Sequence, residues 1–497
     1  MASRRQFLQT AGAVAGTSLV PSFASANAPG KLVRLSPEIE PLVRLIERTP
    51  RNQCVEVLAE QVRRGLPYRQ FLAALFMAGI RNVNPQPPGF KFHCVFVIHA
   101  AHQVSLDIPN GQRLLPLFWA LDNFKASQQK DVQQGDFKLR PVQGKLPSST
   151  TAWREFQQAM ADWDEEKADR AIVALARNEG AQAIAERMWF YGARDYRNIG
   201  HKAIFTANTW QTLQTIGWHH AEPALRSLVL GLLDFGKKER VNDYAFEDQS
   251  YLANVERVDR LHGKLPANWA SAKSDKGATR ELLQSIRTGK VSESCELAIQ
   301  QAVGKSKSSS QAVWDAVHLA ASELMLQQPG IYGIHTVTSA HGLRYAFDTA
   351  SSPATRLVMM LQGVGWMCQF RNFMARKPKG LNKSRITSIK QDQVAKNAVK
   401  AAEEVFSSVG TAAASTKALA WARQFPNSTD FARRAKLLVA QKATDAHHYK
   451  YATSILADAE KVSPEYRPNL YAASVYYLRG SKDQESTAVR RARVALK

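Results

Sequence analysis

The chain has 497 residues, of which 45% are hydrophobic, and its 66 Lys and Arg residues against 43 Asp and Glu residues give a formal net charge of +23. This composition is ordinary for a soluble globular protein with a large core, and the basic charge indicates anionic partners or non-specific adhesion without indicating a fold. The four cysteines lack the spacing of a cysteine-ligated zinc site or of covalently attached haem, although an oxidising compartment would permit disulfides.

The first 26 residues match a twin-arginine signal peptide. The sequence SRRQFL at residues 3–8 contains the motif, and the short apolar run 8–20 is followed by the small residues Ala24 and Ala26. Because these two residues are small, we expect cleavage after Ala26. The apolar run is also too short for a membrane anchor. No other run of roughly 18 apolar residues follows, so we expect a mature chain without a membrane span, exported to the periplasm or cell envelope. Proteins on this route are typically exported folded, often with a cofactor, which favours a metalloprotein.

Apolar residues recur at intervals of three and four through most of the remaining chain, which predicts α-helices. Alternating β patterns with hairpin turns are scarce, so we predict an all-α fold. The order helix, helix, loop, histidine-bearing helix, proline break and helix occurs four times. The predicted repeats span about residues 37–127, 151–240, 280–375 and 394–480 of a single domain, 27–497, with polar linkers at 128–150, 265–288 and 375–393. Units of this length exceed the standard solenoid repeats, so we expect them to close around a common centre.

Each predicted repeat has one histidine near the start of an apolar helix. An imidazole at a buried position needs a partner, and the neutral ring is a good ligand for zinc, copper and iron near pH 7. A single histidine of this kind is more often a structural residue, but the recurrence predicts one histidine-rich metal site. The four residues are His93, His201, His335 and His447.

The fourth repeat adds two polar residues beside its histidine. His447 and Lys450 lie three positions apart and therefore share one helix face. Burial beside a cation would lower the Lys450 pKa from its reference value of about 10.4. Alternatively, CO₂ would convert the amine to a carbamate, which is an anionic oxygen ligand. Asp445 would orient His447 through a hydrogen bond, as carboxylates do for ligating imidazoles.

Several other histidines compete for these roles. His99 and His341 each lie six positions after a chosen histidine, and His99 with His102 would form a separate pair. His219 and His220 precede Glu222, which together would supply a base or cap a helix, and His448 competes with His447. The sequence contains no HExxH motif, no Gly-rich phosphate loop and no GxSxG nucleophile elbow.

The histidine-bearing segments resemble the questin oxidase-like family. The stretch Ile334–Arg344 and the pattern Asp445-x-His447-x-x-Lys450 carry the resemblance most specifically. The resemblance implies a helical, oxygen-dependent oxidoreductase that acts on polycyclic aromatic substrates such as anthraquinones. Carried over position by position, it implies a mononuclear non-haem iron site, whose ligands are His93, His201, His335, His447 and Lys450.

Our leading hypothesis is an exported oxidoreductase that uses iron and O₂ on a bulky, aromatic organic substrate, with no specific nucleic-acid partner. One alternative is a non-enzymatic helical-repeat protein that binds an anionic polymer or envelope component through its basic surface. The charge is densest from Arg371 to Lys400, a run that is also typical of a solvated linker. The other alternative is a zinc hydrolase that keeps the histidine ligands and uses Glu222 as general base.

Overall fold

The computed structural model describes residues 32–194, 196–234, 245–261, 263–266, 269–270, 273–303 and 309–497. The segment Leu32–Lys497 forms one compact unit. The predicted signal peptide, residues 1–26, lies outside the described residues and stays a prediction.

The described residues contain 22 α-helices and no β-strand, which confirms the predicted all-α fold. The helices are α1 (Glu40–Arg48), α2 (Cys54–Arg63), α3 (Tyr68–Asn82), α4 (His93–Leu106), α5 (Leu115–Gln133), α6 (Ala152–Asp162), α7 (Glu165–Asn178), α8 (Ala181–Ala193), α9 (His201–Ile216), α10 (Ala221–Leu232) and α11 (Ala245–Leu261). They continue with α12 (Lys276–Thr288), α13 (Val291–Val303), α14 (Ser310–Gln327), α15 (Ile331–Thr349), α16 (Pro353–Ala375), α17 (Ala398–Phe406), α18 (Ala412–Gln424), α19 (Asp430–Lys442), α20 (Ala446–Lys461), α21 (Arg467–Ser474) and α22 (Thr487–Ala495).

Four helices form the centre of the molecule. Helix α4 packs against α9, α9 against α15, α15 against α20, and α20 against α4, so the four close into a ring. Helices α4, α9 and α15 bury side chains on nearly every face, which is expected of helices surrounded by other helices. The helices that carry the four predicted ligand histidines are therefore the central ones.

The same set of neighbours surrounds each central helix. Each packs against the helix before it and the helix after it in the chain, namely α3 and α5, α8 and α10, α14 and α16, and α19 and α21. The helix two positions before each central helix also contacts the one after it, in the pairs α2–α5, α7–α10, α13–α16 and α18–α21. Four equivalent contact sets are consistent with four repeats, but the origin of these segments in one repeated unit stays a prediction.

The predicted polar linker at 265–288 is wrong over its second half, which forms α12. Asp275 caps this helix by accepting a hydrogen bond from the backbone N–H of Ala278, at 2.9 Å. Leu282, Leu283 and Ile286 then give it a buried face. The Lys, Ser and Gly residues of the segment indicated a linker, whereas the cap and the apolar spacing decide the structure.

Two further predictions concern membranes and disulfides. None of the described helices has the length and apolar character that are needed to cross a lipid bilayer. The four cysteines, which the sequence alone does not pair, are all buried free thiols. Burial raises the pKa of Cys54 to about 11, so the thiol stays protonated near neutral pH.

Candidate metal centre

The four histidines that the sequence singles out lie together at one end of the central helix ring. One nitrogen from each ring lies within 4.8 Å of a nitrogen of every other ring. The ring order follows the chain, with neighbouring centroids 5.1 Å apart for His93 and His201, 4.3 Å for His201 and His335, 5.3 Å for His335 and His447, and 4.4 Å for His447 and His93. The four imidazoles therefore form one group at the end of the four central helices, which we call the imidazole cluster.

The loops before α4 and α9 hold two of these histidines in the same way. His93 is the first residue of α4 and donates its Nδ1 proton to the carbonyl of Phe90, at 2.8 Å. His201 is the first residue of α9 and donates its Nδ1 proton to the carbonyl of Asn198. Phe90 and Asn198 both have left-handed backbone conformations, with φ of 45° and 55°. Such non-glycine residues are strained by roughly 1–3 kcal/mol and are concentrated at functional sites.

A glycine in the first loop approaches a ring of the second repeat. Gly89 has φ of +120°, and a Cβ built there would lie 3.0 Å from Nε2 of His201. A side chain at this position would be strained and would displace the imidazole. The loop that positions His93 therefore also shapes the space around His201.

The remaining two histidines have different Nδ1 acceptors. His335 donates to the carbonyl of Ile331 one helical turn earlier, at 2.6 Å. His447 donates to the carboxylate of Asp445, at 3.2 Å, and the same carboxylate accepts the backbone N–H of His447 as the cap of α20. Burial raises the Asp445 pKa, but the hydrogen bonds and charges of His447 and His448 lower it further, so the net shift is downward. An ionised Asp445 orients His447 as the sequence predicted.

These hydrogen bonds place the proton of each ring on Nδ1 and leave a lone pair on each Nε2. Nε2 of His201 lies 3.1 Å from Nε2 of His93 and 2.9 Å from Nε2 of His335. Two lone pairs at these distances cannot share a hydrogen bond, because neither nitrogen carries a proton. Nε2 of His447 is buried without a hydrogen-bond partner in the described part of the chain. A cation that accepts all four lone pairs would satisfy every nitrogen.

Protonation of the rings does not supply the missing hydrogen bonds. Desolvation, together with the neighbouring rings and Lys450, lowers the pKa of His201 to about 3 and the pKa values of His93 and His335 well below 6.5. The pKa of His447 is also lowered by burial and by Lys450. All four imidazoles are therefore neutral at pH 7, which is the state that binds metal ions.

The spacing of the nitrogens discriminates between coordination geometries. A metal–imidazole bond of about 2.1 Å separates two nitrogens by about 3.0 Å at a right angle and by about 3.4 Å in a tetrahedron. The observed 2.9 and 3.1 Å match right-angle neighbours. The donor set thus fits a six-coordinate or square-based ion better than a tetrahedral structural zinc.

Lys450 lies next to the imidazole cluster. Its Nζ is buried, has no hydrogen-bond partner among the described residues, and lies 5.4 Å from the centre of the Phe96 ring. Burial lowers the pKa of Lys450 to about 7, although the charge of Asp445 opposes the shift. A substantial fraction of the amine is therefore neutral near pH 7, with a free lone pair.

A cavity of about 720 Å³ runs along the central helices and is lined by Lys450, but by none of the four histidines. Each central helix lines it with residues that follow its histidine by three to fourteen positions, so the four helices run in the same direction away from the imidazoles. Its volume lies in the range of small-molecule sites. Representative lining residues are His99 and Gln103 on α4, Ile204 and Gln211 on α9, Thr338, His341 and Tyr345 on α15, and Ser454 and Ala457 on α20.

The competing histidines lie outside the imidazole cluster. His99 and His341 line the cavity, while Nδ1 of His102 lies within hydrogen-bonding distance of the Tyr68 hydroxyl, at 3.1 Å. His448 completes the cap of α20 and stacks on Tyr477.

Glu222, the candidate general base, and the neighbouring His219 and His220 lie away from the cavity. His219 and His220 form a separate, largely exposed group with Glu38. Glu222 forms two hydrogen bonds with the guanidinium of Arg177, at 2.7 and 3.0 Å, and does not line the cavity.

Sequence reasoning missed a polar group beside the cavity. The carboxylate of Asp458 accepts a hydrogen bond from Nδ1 of His341, at 2.7 Å, and lies 3.5 Å from Nδ1 of His318. The three residues come from α20, α15 and α14, so no local motif joins them. The one available signal was an acidic residue among the buried positions of an amphipathic helix.

The fold and this centre define an all-α protein with a buried ring of four neutral imidazoles and an adjoining cavity. Comparison with models of known protein families, with curated proteins and with solved structures finds no match to this chain.

Proposed function

We propose that the protein is an exported, metal-dependent oxidoreductase that uses non-haem iron and O₂ on a bulky organic substrate. The observation that carries this proposal is the convergence of four neutral imidazoles, two of them fully and two largely buried, whose Nε2 lone pairs have no protons to share. Such a cluster is destabilising without a cation and is a strong binding site with one. Export to the periplasm or cell envelope rests on the motif at residues 3–8.

Each residue of the site has a defined task in this proposal. His93, His201, His335 and His447 would hold the ion through Nε2, and Asp445 would keep His447 in the correct tautomer. Lys450 would supply a fifth donor, either as the neutral amine or as a carbamate formed with CO₂. A bound iron ion would supply the redox chemistry that O₂ requires.

The cavity supports an organic substrate of considerable size. Lys450 lines it, although the four histidines do not, and its walls combine apolar positions such as Ile204 and Ala457 with the amides of Gln103 and Gln211. A mixed lining of this kind buries a ring system and orients its polar groups. The aromatic character of the substrate is supported by the family resemblance alone.

The test is elemental analysis of the chain from Asn27 onward, purified without chelators or a His-tag. We expect about one iron per chain by the stoichiometry of a single four-imidazole site. One zinc would favour the hydrolase alternative, and no metal after anaerobic iron reconstitution would contradict the proposal. Once iron is bound, O₂ consumption with candidate organic substrates tests the oxidoreductase step.

Lys450→Ala provides a second test at the same site. We expect it to lose metal while the helical content stays unchanged, because it removes the fifth donor. Lys461→Ala is the matched control, since Lys461 lines the same cavity from the same helix but pairs with Asp348 at 2.7 Å. Equal metal content in the two variants would exclude Lys450 from the donor set.

The two alternatives have less support. In the basic run from Arg371 to Lys400, Arg371 donates to the carbonyls of Ile286 and Gly289, and Arg385 pairs with Glu323 at 3.4 Å. Part of that charge is therefore used within the protein. Glu222, the candidate base of a zinc hydrolase, is held by Arg177 away from the cavity lining.

A further inference from the structure

One histidine beside the cavity has hydrogen-bond partners that differ from those of the four histidines in the imidazole cluster. His341 lies six residues after His335 on α15, which places it about 9 Å further along the cavity. It lines the cavity, and 18% of its side chain is exposed. Its Nδ1–H donates to the Asp458 carboxylate at 2.7 Å, so the neutral form of the ring has its lone pair on Nε2. With the Nδ1 edge turned to Asp458, Nε2 is the nitrogen left for a molecule in the cavity.

The carboxylate behind this ring is ionised. Asp458 is 1% exposed, and burial alone would raise its pKa, but the nearby His341 and His318 lower it below the ordinary value for aspartate. A buried carboxylate that accepts the Nδ1 proton fixes the tautomer of an imidazole and stabilises its protonated form. Asp458 therefore holds His341 in the tautomer whose Nε2 is the acceptor, with a carboxylate placed to balance a positive charge on the ring.

We propose that His341 accepts the proton of a substrate hydroxyl bound in the cavity and that Asp458 is its positioning residue. In this step the O–H bond breaks, its electron pair stays on the oxygen, and the proton forms a new bond to Nε2. The imidazolium charge is balanced by Asp458. The reaction that the resulting anion enters rests on the proposed oxidoreductase function, whereas the proton transfer itself does not.

The chemistry of this pair selects the class of hydroxyl. A phenol has a pKa of about 10, as tyrosine does, and an enol is of similar acidity, so a carboxylate-assisted imidazole deprotonates either of them at modest cost. An aliphatic alcohol is a far weaker acid and would stay protonated. The ligand class is therefore a phenol or enol that binds as its anion.

A neighbouring histidine separates this role from a structural one. His318 on α14 also faces Asp458, at 3.5 Å, but its side chain is 3% exposed and does not line the cavity. Burial lowers the pKa of His318 to about 4, so it is neutral at pH 7. If His341 only neutralised Asp458, its replacement and that of His318 would have similar consequences.

Other charged groups near the pair affect the ionisation of a bound ligand. They are Arg344 on α15 itself, Lys461 and Lys450 on α20, and His99 on α4. The cations also stabilise a bound anion, so wild-type binding alone would not identify the base. The test must therefore compare variants that leave these groups in place.

The probe is 4-nitrophenol, whose anion absorbs visible light and whose neutral form does not. Its ionisation is titrated in the presence of saturating protein, both with the metal bound and after the metal is removed. The variants are His341→Asn, which keeps a donor to Asp458 but lacks the Nε2 acceptor, Asp458→Asn, and the matched control His318→Asn. Circular dichroism checks the fold of each protein.

We expect wild-type protein to lower the apparent pKa of bound 4-nitrophenol by about one unit, which is a tenfold larger anion-to-phenol ratio. His341→Asn abolishes the shift, Asp458→Asn reduces it, and His318→Asn retains it. The assignment is overturned if the wild type binds only the neutral phenol or does not bind the probe. It is also overturned if His341→Asn keeps the shift or His318→Asn loses it equally. Because the readout needs no turnover and no metal, it is independent of the iron measurement.

Discussion

Two histidines on α15 show how the hydrogen-bond partner of an imidazole determines what the ring can do. His335 donates its Nδ1 proton to the carbonyl of Ile331 and turns Nε2 towards three other imidazoles. His341, six residues later, donates its Nδ1 proton to the Asp458 carboxylate and lines the cavity. The first ring is surrounded by neutral or positive groups and stays neutral, which is the form that would bind a metal. The second has the Asp458 carboxylate behind it, which fixes its tautomer and would balance a positive charge on the ring.

Metal affinity should distinguish His335 from His341 most strongly. His335→Ala removes one of four converging donors, so we expect metal affinity to fall by at least about a hundredfold, more than the loss of an outer partner. His341→Asn leaves the four donors intact and should bind metal as the wild type does. Equilibrium dialysis with iron under anaerobic conditions measures both. Equal metal affinity of the two variants would show that the imidazole cluster is not the metal site.

A smaller loss is expected when only the orientation of a donor is disturbed. Asp445→Asn removes the charge that accepts the Nδ1 proton of His447, and we expect metal affinity to fall by roughly 10–100-fold. Asparagine is also a good helix cap, so α20 should stay formed. Asp164→Asn is the control, because Asp164 caps α7 by accepting the N–H of Lys167 and has no histidine partner. A loss of affinity in the control as well would point to a general effect of the substitution.

The loop glycine beside His201 gives a third test. Gly89→Ala places a Cβ about 3.0 Å from the ring nitrogen, so we expect a metal affinity that is lower by about tenfold, together with reduced stability. Gly65→Ala is the control, because Gly65 also has positive φ, +94°, but no atom lies within 4 Å of its built Cβ. Gly65→Ala should lose roughly 1–2 kcal/mol of stability from backbone strain. Gly89→Ala should lose roughly 1–3 kcal/mol, because its φ of 120° and ψ of −158° lie in a region almost exclusive to glycine. Unchanged metal affinity in Gly89→Ala would contradict the close approach.

The last prediction concerns the pH dependence of stability and not the affinity for a metal. Burial lowers the pKa of His318 to about 4, so the unfolded chain binds a proton below pH 6.5 that the folded chain does not. The free energy of unfolding is therefore complete above pH 6.5 and decreases as the pH falls towards 4, by about 1.4 kcal/mol per pH unit for this residue. His318→Asn should remove that part of the slope. Denaturant titrations of wild type and variant at pH 7, 6 and 5 measure it, and identical slopes would contradict the assignment.

The sequence predicted the helices and the four histidines, but not how the rings are arranged. Apolar spacing is a local property and places His93, His201, His335 and His447 near helix starts. Their convergence depends on the closed packing of four helices, in which His93 and His201 are 108 residues apart. The carbonyls of Phe90 and Asn198, which fix two tautomers, depend on left-handed loop conformations that carry little signal beyond the neighbouring glycines.

The part of the site that the sequence missed has the same origin. His341 and Asp458 are 117 residues apart, and their contact exists because α15 packs against α20. His341 is visible in the sequence as a competitor of His335, but nothing local distinguishes a ring that faces a carboxylate from one that faces other rings. The linker prediction at 265–288 failed for the opposite reason, since composition was weighed above the cap at Asp275.

We propose that four imidazoles hold one metal ion through Nε2. X-ray absorption spectroscopy at the iron edge, on protein reconstituted with one iron per chain, counts imidazole ligands directly through their multiple-scattering pattern. We predict about four imidazoles at about 2.1 Å, no sulfur ligand, and one fewer imidazole in any His335→Ala protein that retains iron. A spectrum with one imidazole or none, or with a sulfur ligand, would contradict it.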